Sequence, residues 1–446
     1  MTTSQSSRGM GRRAYVLVTN TAGSAPVDRH ASTTDDDVAS RRDAGPYDAS
    51  MTARNQNRPT PADRRRHEKI ALELTSLPTA AGREFRVQAY LDRWLAERRR
   101  SLVWRRDSDG NLLITRKTRG RRRGGPAPLL ITAHLDHPAF VVSKLVDDRT
   151  IEAEFRGGVH DPYFEDARVE FHDAEDRIVR GRITELRKPD DACPFKTVTV
   201  RLSRRHPALG SGDVGRWAFP DAKITGRGAK RLLKTHACDD LAAAAAALCA
   251  FDRIRTRKGQ EHVGLLFTVA EEVGFVGAIG AATNGLVPKN ARLICLENSR
   301  SFPESPIHGG PIVRVGDRMT VFSPDLTNDI SALMTAHAAA TPKFKWQRKL
   351  MAGGACEATA FSAFGFQSTC LCLPLGNYHN MQAIDEVVGG KRPAKVGPEF
   401  IGVDDYHGLV EMLEIVANGL DAKRTTESLD RRLRRLRRRN AVVLAG

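Results

Sequence analysis

The sequence predicts an α/β fold: a mixed, mostly parallel sheet flanked by helices, with an inserted all-β domain. Three observations predict it. Short apolar runs of strand length recur at Pro128-Leu-Leu-Ile-Thr-Ala, Val263-Gly-Leu-Leu-Phe-Thr-Val-Ala, Ala291-Arg-Leu-Ile-Cys-Leu and Thr369-Cys-Leu-Cys-Leu-Pro-Leu, among helical patterns. Between residues 142 and 233 the texture changes to alternating strands separated by Gly, Asp and Pro. Finally, acidic and histidine motifs sit at or just after the apolar runs, where open α/β sheets collect their functional groups.

The elements follow in order. Residues 1–62, rich in Ser, Thr, Asp, Asn and Pro, read as disordered. Order begins near Asp63, with a helix through Lys69-Ile-Ala-Leu-Glu-Leu-Thr that ends before Pro78. A second helix runs from about Glu84 to Arg99, with Phe85, Val87, Tyr90, Leu91, Trp94 and Leu95 on or near one face. Asp109-Gly-Asn111 marks a hairpin turn between Leu102-Val-Trp and Leu112-Leu-Ile-Thr. Residues 63–141 and 234–423 form the α/β domain, and 142–233 the insert, an assembly element or lid. In the 424–446 tail, Leu429, Leu433 and Leu436 fall at helical spacing among eight arginines. Such a helix suits RNA, an acidic protein or a membrane surface, a subunit neighbour or plain solvent.

At 446 residues the chain is long enough for two domains, and 41% apolar with 28% charged residues is ordinary for a globular protein. No apolar run approaches the ~18 residues that cross a bilayer. Of the formal charge of +17, four units lie in residues 1–66 and six in 424–446, so the middle is only moderately basic. Seven irregularly spaced cysteines read as reduced core thiols. A cytoplasmic protein is expected.

The chemistry lies in His134-Leu-Asp136, Asp239, Glu271-Glu272, Glu297 and His379. Zinc-type sites use His nitrogen and carboxylate oxygen, about four ligands per metal, and paired metals need a bridging carboxylate. His134 and Glu297 can hold one ion, Glu272 and His379 another, with Asp239 between them. Glu271 is then free to act as general base. Asp136, two residues after His134, can hydrogen-bond the ring nitrogen facing away from the metal; His137 faces elsewhere and reads as structural. Each motif also has a plainer reading. Asp239-Asp240 can cap the Ala-rich helix that follows, one Asp capping while the other binds metal. Glu271-Glu272 can be a charged helix N-terminus, and His379 an ordinary loop histidine. Gly274 and Gly277 suit a tight strand-to-helix turn.

With these residues in place, the sequence resembles the metallo-aminopeptidases of the glutamyl aminopeptidase and tetrahedral aminopeptidase group, relatives of the co-catalytic zinc exopeptidases. The similarity spans about Leu72 to Leu420. It includes Leu74-Thr-Ser-Leu-Pro, Gly82-Arg-Glu84, Asp109-Gly-Asn111, Ala133-His-Leu-Asp136, Gly212-Asp-Val, Cys238-Asp-Asp240, Phe267-Thr-Val-Ala-Glu-Glu-Val-Gly274 and Gly277-Ala. The spacing of 105 positions from His134 to Asp239 matches this group, whose insert is a small β-barrel used in subunit assembly. The resemblance implies His134, Asp239, Glu272, Glu297 and His379 as metal ligands and Glu271 as base. It also implies two divalent ions, zinc with cobalt or manganese as alternatives, a peptide substrate, and a homo-oligomer between dimer and dodecamer. The chain departs from the family at His137-Pro138-Ala139, at Glu297 where Asp is usual, at Gly376-Asn-Tyr-His379, and at Gly353-Gly-Ala-Cys-Glu-Ala358. The expected activity is release of N-terminal residues from peptides, with Glu271 activating a water between the metals. Two rivals stand beside it: a metal-dependent deacylase of N-acyl amino acids, and an inactivated peptidase scaffold that binds RNA or acidic surfaces.

Overall fold

A computed structural model describes residues 59–117, 125–191, 193–422 and 429–444. The expected disordered segment lies outside these residues up to position 58. From there the chain is already folding. Thr60 caps the helix Pro61–Thr75, accepting from the Asp63 amide while the Asp63 carboxylate reaches back to the Thr60 amide. In the second helix, Phe85–Ala96, Val87, Leu91, Trp94 and Leu95 are buried. Phe85 departs from its expected place on that face: it is 47% exposed, with the Arg86 guanidinium over its ring.

The strands run in chain order as follows. β1 (Leu102–Arg106) and β2 (Leu112–Arg116) form the expected hairpin, closed by the Asp107 carboxylate, which accepts the amides of Asp109, Gly110 and Asn111. β3 is Leu129–His134. β4 (Ala139–Asp147), β5 (Thr150–Arg156), β6 (Arg168–His172), β7 (Ile178–Arg187), β8 (Lys196–Leu202) and β9 (Val214–Trp217) close into a barrel. β10 (Lys223–Thr225), β11 (Leu232–Thr235), β12 (Val263–Thr268), β13 (Arg292–Arg300), β14 (Ile312–Asp317), β15 (Gln347–Met351), β16 (Gln367–Gly376) and β17 (Glu399–Gly402) join β1–β3 in an eleven-stranded sheet. The barrel strands thus span 139–217 rather than the expected 142–233. β4 begins directly after Pro138, and β10 and β11 pair into the large sheet beside β17 instead.

The sheet order is β1-β2-β12-β3-β13-β16-β17-β11-β10, with β14 and β15 beside β16. Its centre, β12-β3-β13-β16, is parallel, and its flanks are antiparallel apart from the β14–β15 pair. Those four central strands are the four apolar runs of the sequence. β3 and β12 are buried at every residue, as a strand covered on both faces must be. One face packs against the Ala-rich helix Leu241–Ile254 and the helix Val403–Gly419; the other packs against Val276–Thr283 and Glu357–Ala363. The small alanines let the 241–254 helix lie close to the sheet.

The barrel has its own aromatic core of Phe140, Phe155, Phe164, Phe171 and Trp217. Met381 and Val387 of the α/β part join that core, so the barrel is seated on the segment that follows His379. All seven cysteines are free; Cys370 and Cys372 lie in one buried cluster with Cys295 and Cys356. The tail forms the helix Leu429–Asn440, with Leu433 and Leu436 about half exposed. Among the described residues no helix is long and apolar enough to cross a membrane.

Candidate metal centre

The central parallel strands run side by side and end on the same edge, which brings the separated motifs together. His134 closes β3, Glu297 lies in β13, Glu271 and Glu272 follow β12, and His379 follows β16. Asp239 arrives from the turn after β11. The two oxygens of Asp239 face two different imidazoles: Oδ1 is 3.5 Å from His134 Nε2, and Oδ2 is 3.5 Å from His379 Nε2. Glu297 Oε1 and Glu271 Oε2 each lie 4.0 Å from His134 Nε2, and Glu272 Oε2 lies 3.4 Å from His379 Nε2. All six side chains named as ligands or base therefore meet, and all but the deeper His134 line one cavity of about 660 Å³.

Partners behind the rings orient them. His134 Nδ1 is 3.2 Å from the Asp136 carbonyl oxygen and 3.4 Å from its Oδ1. His379 Nδ1 is 2.7 Å from the Gly158 carbonyl oxygen, in the barrel. Acceptors on the Nδ1 side assign the proton there and leave both Nε2 lone pairs facing Asp239. The Asp136 carboxylate also accepts the amides of Glu271 and Glu272, both at 3.0 Å. His137, expected to face elsewhere, lies close by, with Nδ1 at 2.5 Å from the Asp239 carbonyl and Nε2 at 3.2 Å from Asn380 Oδ1.

The charge balance is the test of what belongs here. Burial, then neighbouring carboxylates, hold Glu271, Glu272 and Glu297 well above the ordinary carboxylate range, with His134 opposing. Burial would raise Asp239 too, but the imidazoles of His134 and His379, each 3.5 Å from one of its oxygens, hold it below its ordinary value. Burial disfavours a charged His134, yet Glu271, Asp136 and Asp239 raise it. Asp239 Oδ1 and Glu272 Oε1 are buried with no hydrogen-bond partner. Unpaired buried carboxylates are costly, and imidazole with carboxylate is the donor set of zinc-type cations. Both His134, Glu271, Glu297 and His134, Asp239, Glu272 present ligand atoms within 4.8 Å of one another. The residues fit divalent metal.

The expectation that one of Asp239 and Asp240 caps the following helix is not met. Asp240 occupies the cap position but makes no side-chain cap bond; its carboxyl is fully buried and neither oxygen has a hydrogen-bond partner. The Glu271-Glu272 turn precedes the helix Val276–Thr283 and folds back on β12. A Cβ on Gly277 would meet the Val269 carbonyl oxygen and lie 2.6 Å from Asn111 Oδ1. Gly277→Ala should therefore cost about 1–3 kcal/mol and lower the bound metal; calorimetry showing an unchanged unfolding temperature would contradict this packing.

Several residues of the centre carry no local signal that marks them as part of a site. Glu84 Oε1 accepts the amides of Gly82 and Ala270, at 2.8 and 2.9 Å. Its motif is visible in the sequence but its role is not. Glu357, nearly fully buried beside Thr132, opens the helix Glu357–Ala363 within the departing Gly353–Ala358 segment. Arg314 and Arg318 line the cavity, and nothing in their sequence surroundings marks them. Glu399, at the start of β17, accepts the amides of Asp239 and His379, also without a local motif.

Fold and site together define a metal-dependent hydrolase built on a mixed α/β sheet. The sequence matches the M42 glutamyl aminopeptidase family over residues 110–388, more than half of its length, and the chain belongs to that family. It is a metal-dependent aminopeptidase. A search of curated proteins finds no match. Among solved structures the fold is similar to a TET aminopeptidase from a marine-sediment archaeon of the Thaumarchaeota, with 18% identity, TM-score 0.62, and 80% of this chain and 98% of that one covered. An aminopeptidase of Desulfurococcus kamchatkensis is 18% identical, with TM-score 0.61 and coverage of 81% and 99%. The TET1 peptidase of Pyrococcus horikoshii, which can assemble into a tetrahedron or a large octahedral shell, is 20% identical, with TM-score 0.59 and coverage of 79% and 99%.

Proposed function

We propose that the chain releases N-terminal residues from peptides at a two-cation centre, with Glu271 as general base. The observation that carries this reading is Asp239, whose two oxygens each lie 3.5 Å from a different imidazole. His134 and Glu297 would hold one ion, Glu272 and His379 the other, and Asp239 both. Zinc fits the donors best, with cobalt or manganese as substitutes. Divalent ions at such a site polarise a carbonyl and make water acidic enough to attack at neutral pH. Glu271, beside the ligands and in the cavity wall, takes a proton from the attacking water and returns it to the leaving amine. Asp136 keeps the base and its neighbour Glu272 in register by holding both amides.

Assays of amino-acyl anilides against N-acyl amino acids, with zinc, cobalt and manganese, test this. Metal-dependent cleavage of the anilides alone is expected; cleavage of the N-acyl compounds alone would favour a deacylase.

The cavity also suggests a side-chain preference. Arg300, Arg314 and Arg318 line it, and Arg300 is paired with Asp385. Arg318 is exposed and has no carboxylate partner among the described residues. An acidic first residue would supply one, in keeping with the glutamyl activity of the family's description. A charge-assisted contact is worth about 1.5–3 kcal/mol. Arg318→Ala should therefore lower kcat/KM for glutamyl anilide about 10–100-fold and leave leucyl anilide little changed; equal losses on both would count against the preference. Assembly into a homo-oligomer, as for TET1, and a cytoplasmic setting for the free thiols complete the proposal. A monomer by mass photometry would contradict the first.

A further inference from the structure

Glu399 is a buried carboxylate that the chemistry above does not use. It opens β17, is 0% exposed, and points both oxygens at backbone. Oε2 accepts the amides of Cys238, at 2.7 Å, and Asp239, at 3.1 Å. Oε1 accepts the amide of His379, at 2.9 Å. One side chain thus ties together the turn that carries Asp239 and the turn that carries His379, which are 140 residues apart in sequence. Burial, with the Asp239 charge next, lifts its carboxyl well above the ordinary range, while the three amides oppose that rise.

The same device recurs across the centre. His379 and Ala270 both hold left-handed backbone, at φ of 52° and 51°, a region that side-chain-bearing residues avoid. Each donates its amide to a buried carboxylate, His379 to Glu399 and Ala270 to Glu84. His134 needs no such anchor, because it stands at the end of a regular strand.

We propose that Glu399 is a positioning residue: it fixes the Asp239 carboxylate and the His379 ring relative to one another, and so sets the affinity of the His379-side cation. The proposal rests on the two-cation reading. Glutamine is the telling replacement. It keeps the size of the side chain but has one oxygen, so its NH₂ must face amides on one side or the other. Its oxygen keeps more bonds on the side of the Cys238 and Asp239 amides, so the His379 amide loses its acceptor and meets a donor instead. A role limited to filling space would not notice the change.

The test is a zinc titration of metal-free wild type, Glu399→Gln and His379→Ala, read by calorimetry, with cobalt(II) absorption spectra of the loaded forms. Wild type should bind two ions. Glu399→Gln should bind one ion normally and the other about 10–100-fold more weakly, with a cobalt spectrum shifted toward that of His379→Ala. If Glu399→Gln binds both ions as wild type does, the positioning role fails while the two-cation reading stands; a single ion in wild type would fail the latter. Hydrogen exchange on wild type covers the case of an unfolded variant. In the metal-free protein the amides of Cys238, Asp239 and His379 should exchange as slowly as the central strands, and rapid exchange would overturn the proposal.

Discussion

Glu271→Gln should lose about 10²–10⁴-fold in kcat, the range a positioned acid–base group contributes, and still carry its full metal content. The amide cannot take up the proton, yet nothing that holds the turn depends on this side chain. Asp136 accepts the backbone amides of residues 271 and 272, and Glu84 that of residue 270. Glu272 should therefore stay within reach of His379. Mass-spectrometric metal analysis alongside turnover of amino-acyl anilides checks both halves. Activity within tenfold of wild type would remove Glu271 from the role of base; loss of metal would make it a ligand instead.

Asp239→Ala should have a broader effect: loss of both ions and of all turnover. His134, with Glu297 beside its ring, faces one oxygen of Asp239, and His379, with Glu272 beside its ring, faces the other, so each half of the centre depends on it. His134→Ala and His379→Ala should each weaken one half. The metal should also support the fold. An ion present at a thousandfold above its dissociation constant stabilises by about 4 kcal/mol, and here it would also relieve repulsion among Glu271, Glu272 and Glu297. Chelation should thus lower the unfolding temperature of wild type clearly and that of Asp239→Ala hardly at all. Equal shifts in the two proteins would place the stabilising metal elsewhere.

Much of this centre was legible in the sequence because its candidate ligands, Asp239 apart, lie at or just after strongly apolar strand runs. β3, β12, β13 and β16 lie next to one another at the middle of the sheet, where burial on both faces writes itself into composition. A polar residue at the end of such a run stands out. The β-rich insert was legible for the opposite reason: alternating strands with turn residues between them. Edge strands carry weaker signals. β10 pairs with β11, and β11 with β17, which begins 164 residues after β11 ends; nothing local distinguishes β10 and β11 from the barrel strands before them. Asp240 looked like a cap because helix-start patterns are local, whereas the charged groups it is buried near, His134, Glu297, Glu357 and Glu271, arrive from elsewhere in the chain. Glu399 was invisible on the same grounds. Its partners are backbone amides of distant turns, and no side-chain pattern records them.

The central claim is that Asp239 stands between two cations. Anomalous diffraction at the zinc edge from crystals of the metal-loaded protein tests it most directly. Two peaks about 3.5–4 Å apart are predicted, one beside His134 and Glu297 and the other beside His379 and Glu272, each contacted by a different oxygen of Asp239. A single peak, or two peaks that share no ligand, would contradict it.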